Sequence, residues 1–218
     1  MTSTSVDLSR TADPTANLAA DHTWSDFDTC QLLDLARRSV VLGIEGKSPL
    51  RLPIGLYSRP LQRQQSTFVT LREQGKVLTR AGTVRPMCPL ASDVCHNAYE
   101  ASRRAVQFAS DAELTCDVQV VSPLRYLNAS SREEVEQAME GRQDGVLLQY
   151  GASLVTFTPD KWQHWPAAVD FLQALQRQAG LDPTQWQPGV RVATYQLTQL
   201  PSVKVYNQLQ KPPAPKPR

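Results

Sequence analysis

Four cysteines in 218 residues, at irregular spacing, are too few and too scattered for a disulfide framework. They read as reduced thiols in an intracellular setting. No run approaches the roughly 18 apolar residues that a membrane helix requires. The opening MTSTSVDLSRTADPTANLAADHT has neither a basic n-region nor an apolar h-region, so no secretory leader is expected and a cytoplasmic location is. An excess of charge is missing too. Lys and Arg number 23 against 21 Asp and Glu, and a net charge of +2 carries no electrostatic footprint for nucleic acid. Aromatics are scarce at 7% and are not interleaved with the basic residues, which argues against a stacking platform for single strands. No G-x-G-x-x-G, P-loop or nucleophile elbow is present.

A chain of this length buries a core without staples, and 41% hydrophobic with 20% charged residues is ordinary for a globular protein. Residues 1–24 are Ser, Thr, Ala and Asp with almost no large apolar groups, and are expected to be a disordered tail. A folded domain is expected over 25–200. A basic Pro-rich tail follows over 201–218, ending in KPPAPKPR, either a docking segment or a frayed end.

Within the domain the periodicities alternate. Ser25 caps a helix with Leu32, Leu33, Ala36 and Val40 on one face. Strands around Phe68–Thr70 and Val77–Val84 flank a Gln74-Gly75-Lys76 turn, and Pro89 opens a helix running towards Phe108. Leu114, Cys116, Val118 and Val120 alternate as a half-buried strand. Ser131-Arg132-Glu133-Glu134 is a capping box for a short helix to Met139. Asp144–Tyr150 and Ser153–Phe157 form a second hairpin. Thr158-Pro159 is expected to start the last long helix, which Gly180 ends, and Val190–Leu197 close with one strand. The fold class is α+β: a largely antiparallel sheet built from hairpins, three main helices around it, and room for two intertwined subdomains.

Six elements in order resemble one family. They are Gln31–Arg37 (QLLDLAR), Phe68–Leu71 (FVTL) with Gly75, Asn97-Ala98, Val120–Pro123 (VVSP), the Asp144-Gly145-Val146 hairpin, and Ala179–Trp186 (AGLDPTQW). Together they resemble the AMMECR-one domain family, protein A of the AmmeMemoRadiSam system, from about Phe27 to Leu197. The resemblance implies partnership with a Memo-like protein or a radical SAM enzyme.

The family hallmark LRGCIG is altered. Aligned on Gly82, its Arg falls on Leu78, its Gly on Thr79 and its Cys on Arg80, and the family's DPRF segment is missing. A guanidinium stays protonated and offers only donors, so Arg80 replaces a nucleophile or soft ligand with a fixed cation.

The candidate site is therefore a basic cleft beside the hairpin. Arg80 and Arg85 would supply charge, with Gly82, His96, Asn97 and Asp144 around it, for a small anionic ligand or a partner protein, without a cofactor. Lys76, Arg72, Arg103 and Arg104 add to this basic face; as a plain alternative they are solvated side chains. An enzyme using a relocated thiol, Cys88, or a bound metal is the competing reading. Cys88, Cys95 and His96 are poorly phased for a tetrahedral site. Nucleic-acid binding through the basic tail is a weaker third. His164 between Trp162 and Trp165 reads either as a stacking platform or as aromatics seating a helix start.

Overall fold

The computed structural model describes residues 24–105 and 113–205. The first helix, α1 (Asp26–Ile44), starts at Ser25, whose hydroxyl accepts from the Asp28 amide while Asp28 returns a carboxylate to the Ser25 amide and hydroxyl. This reciprocal box satisfies donors that a helix start leaves open. Ser58 adds a third donor to Asp28, tying α1 to the Pro-rich connector that carries a single 3₁₀ turn (Ile54–Leu56) and the short α2 (Arg59–Gln62).

Strands β1 (Thr67–Glu73) and β2 (Lys76–Gly82) pair antiparallel through Gln74-Gly75, both at positive φ, the geometry of a tight hairpin turn. Then come α3 (Leu90–Arg104), capped by Pro89, and β3 (Leu114–Val121). The Phe108 end expected for this helix lies outside the described residues. Next are β4 (Arg125–Tyr126), α4 (Arg132–Met139) behind its predicted capping box, and the hairpin β5 (Gly145–Tyr150)–β6 (Ser153–Phe157). The chain closes with α5 (Ala168–Gln178), β7 (Arg191–Tyr195), β8 (Leu197–Gln199) and β9 (Val203–Val205).

The described residues form two antiparallel sheets. One has the order β2-β1-β3-β8, with β9 also on β3; the other has the order β4-β7-β5-β6. Alternation sorts the cores. Val69 and Leu71 of β1 pack under α1 and α3, whereas Phe68 points the other way, to Leu147, Ala193 and Tyr195 of the second sheet. Val146 and Leu148 of β5 face α4 and α5 with Phe171, Leu172 and Trp162. The layers therefore run helix, sheet, sheet, helix, and the α+β class stands.

Three expectations are corrected. The last long helix does not start at Pro159: a 3₁₀ turn (Pro159–Gln163) stops short, and α5 begins at Ala168. Pro166 has no amide to donate and disfavours helical backbone at Trp165. The strand over Val190–Leu197 is two strands in different sheets, crossing at Gln196, whose amide donates to Ser122 Oγ (2.9 Å) and whose carbonyl accepts from the Ser122 amide (2.9 Å). The folded chain also runs past residue 200. Leu197–Val205 lies along the free edge of β3, broken at Pro201, which cannot donate to a ladder.

Candidate functional site at the junction of the sheets

Arg80 stands opposite Thr70 in the hairpin, two residues along β1 from Phe68 and on the same face. Its guanidinium lies 4.5 Å from the Phe68 ring centroid, donates from Nη2 to Gln119 Oε1 at 2.8 Å, and approaches Asp160 Oδ1 at 3.8 Å. Its Nε is buried and has no hydrogen-bond partner among the described residues. The side chain is 30% exposed, so it is held at the junction rather than in bulk water. Burial pushes its pKa down, the charges of Asp160 and Tyr195 push back, and Arg72 adds to the lowering. Arg72 itself is committed to Asp117 at 2.6 Å.

Tyr195 closes the other side of the junction. Its hydroxyl shares a hydrogen with Thr156 Oγ1 at 2.9 Å and donates to the Phe157 carbonyl at 3.2 Å. Burial pushes the phenol up to about 12. Asp160 sits at the head of the 3₁₀ turn, half exposed, where its Oδ1 accepts from the Thr158 hydroxyl.

The six residues expected in one cleft are not all together. Gly82 ends β2, with φ +148, where a Cβ would meet the Thr67 carbonyl at 2.2 Å and the Phe68 backbone at 2.7 Å; only glycine lets β2 lie this close to β1. Arg85 is exposed on the following loop, and His96 is exposed on α3. Asn97 is buried beneath the sheet, on the helix side. Its Nδ2 donates to Asp93 (2.8 Å) and to the Thr67 hydroxyl (3.0 Å), joining α3 to β1. Asp144 accepts from Gln196 Nε2 at 3.2 Å, and its carbonyl holds the Trp162 indole at 2.8 Å. Asp144 and Ser122 thus meet through Gln196, which joins the DGV and VSP segments in space.

Cys88 donates to Asp93 Oδ1 at 3.8 Å; burial, and then Asp93, push its pKa up. Cys95 turns into the core under α1, and Cys116 into β3's buried face. Among the described residues no three His, Cys, Asp or Glu side chains come together as a metal site. Trp162 stacks on Phe171 at 4.0 Å and Trp165 on Phe157 at 5.3 Å, so these aromatics seat the start of α5.

Sequence reasoning missed Phe68, Gln119, Asp160 and Tyr195. The hairpin register placed Phe68 within reach of Arg80, but nothing local announces Asp160, eighty positions away. A cavity of about 540 Å³ between α4 and α5 is lined by Glu136, Arg142, Trp162 and Val169 and is separate from the Arg80 cluster.

The AMMECR1 family model matches residues 33–200. The chain belongs to the AMMECR1 family. In the solved structure of the uncharacterised protein PH0010 from Pyrococcus horikoshii, 20% identical, the likeness covers 83% of this chain and 97% of that one with a TM-score of 0.65, which shows the shared fold. No curated protein matches. Among the described residues no helix is long and apolar enough to cross a membrane.

Proposed function

We propose that this AMMECR1 domain is a non-catalytic binding protein that engages an acidic surface of a Memo-like or radical SAM partner through Arg80. The observation that carries this reading is a cation held between two sheets, stacked on Phe68, with an unpartnered Nε and an ion pair stretched to 3.8 Å. A fixed cation partly withdrawn from water gains more from a matching anion than a solvated one does.

Against the relocated-thiol alternative stands the setting of Cys88, whose pKa is pushed up by burial and then by the charge and hydrogen bond of Asp93, which disfavours the thiolate. Calorimetry with the purified Memo-like and radical SAM proteins of the same organism tests the binding reading. Arg80→Ala is expected to weaken the complex roughly tenfold or more, as for one partner of a desolvated charge pair, while Cys88→Ser leaves it unchanged. Unaltered affinity in Arg80→Ala sinks it.

A further inference from the structure

Resting on that reading, we propose that the Arg80 seat takes a carboxylate, and that Asp160 is its built-in competitor, occupying the place of the ligand until an acidic side chain or chain terminus displaces it.

The geometry is that of a weak stand-in. Asp160 Oδ1 reaches Arg80 Nη1 at 3.8 Å, beyond hydrogen-bond distance, whereas Nη2 makes a 2.8 Å bond to Gln119. The same Oδ1 accepts from Thr158 within its own turn, so Asp160 is anchored to its own segment rather than to Arg80. Its side chain is 54% exposed, and its departure leaves no buried carboxylate behind. The guanidinium does not depend on Asp160 for its position, because the Phe68 ring and Gln119 hold it.

The charge inventory selects the class of ligand. Arg72, the other guanidinium nearby, is already matched by Asp117 at 2.6 Å. Arg80 is thus one cation balanced by one monoanion, and a carboxylate replaces a carboxylate with no change in net charge. A phosphate dianion would bring a second charge, and Arg72, the second guanidinium near the junction among the described residues, is already committed to Asp117. The planar fork of Arg suits a carboxylate's two oxygens.

Sodium acetate, titrated against sodium chloride at constant ionic strength, is the probe. The Gln119 side-chain amide and the Arg80 Nε–H are followed by nitrogen-15 NMR in the full chain. Acetate is expected to shift both signals saturably where chloride does not. Asp160→Asn keeps the shape and the Thr158 contact, and should tighten acetate about two- to fivefold, the range set by exposed ion pairs. Arg80→Lys should abolish the Gln119 response.

Equal acetate affinity in Asp160→Asn overturns the competitor role. Inorganic phosphate binding as tightly as acetate overturns the choice of carboxylate. If Arg80→Ala still destroys partner binding in either case, the Arg80 reading stands and only this inference falls. No acetate response together with intact partner binding in Arg80→Ala removes both.

Discussion

Gly145 and Tyr195 face each other across β5 and β7 so closely that a methyl group on Gly145 would lie 2.3 Å from Cζ of the ring. The ring lies where a β-carbon would be, and that is how the phenol reaches Thr156 and Phe157. Gly145→Ala has to push a fully buried ring off these partners. It should cost about 2 kcal/mol or more in a urea unfolding curve, the scale of overpacking a core. Tyr195→Phe removes the hydroxyl alone and should cost about 1 kcal/mol. Equal stabilities for Gly145→Ala and the parent chain would mean the ring has room it does not show.

Asp93 gives stability a defined pH dependence. It is 3% exposed, and burial raises its pKa above the ordinary 3.8, against the lowering bonds from Thr67 and Cys88 and the charge of His96. Between the unfolded and folded values the native chain therefore holds more protons than the unfolded one. Stability from this group is greatest below the unfolded pKa and falls as pH rises through the folded pKa. Asp93→Asn keeps an oxygen for Thr67 and Asn97 and removes the titration. Denaturation midpoints measured from about pH 4 to 8 should fall with pH in the parent by more than in Asp93→Asn. Identical slopes would contradict the buried carboxylate.

The thiols should react in a fixed order. Cys30 is exposed; Cys88 is shielded and raised; Cys95 is buried and raised by burial; Cys116 is fully buried and pushed up to about 12. Alkylation by iodoacetamide needs thiolate and access, so Cys30 leads and Cys116 trails. Removing the Asp93 charge should speed Cys88, a change readable by peptide mass mapping over time. Cys88 outpacing Cys30 in the parent chain would revive the thiol alternative.

Local chemistry was legible and long-range placement was not. The Ser25 and Ser131 capping boxes, the Gln74-Gly75 turn and the alternation of β3 depend on residues within a few positions of each other, so the sequence displays them directly. Pro166 is a local breaker, but Thr158-Pro159 also suits a helix start and the apolar stripe of Ala168, Leu172 and Leu175 lies beyond both, so the sequence alone favours one longer helix. The crossing at Gln196 was hidden for a different reason. Both sheets bury alternate residues with the same period, so β7 and β8 look like one strand until their partners are known. Asn97 enters the expected cleft as a polar positioner and as the match to the Asn-Ala pair of the resembled family. In the fold it satisfies a buried carboxylate and hydroxyl beneath the sheet. Arg80 was singled out by an altered motif, while the Gln119 and Asp160 that define its setting come from other strands and turns.

Arg80→Met separates binding from folding. Met keeps an unbranched stem over the Phe68 ring and removes a guanidinium whose Nε has no partner and whose pKa burial already lowers. Replacing a partly desolvated cation by an apolar side chain of similar length is often neutral or stabilising, so the urea midpoint should stay within about 1 kcal/mol of the parent or rise. Gln119 loses its donor but stays within reach of water at the partly exposed junction. Partner affinity, on the other hand, should fall as far as in Arg80→Ala. A chain that is no less stable yet no longer binds would show that Arg80 is retained against the interest of folding, the behaviour of a functional residue. A stability loss of several kcal/mol with binding intact would make it a structural one.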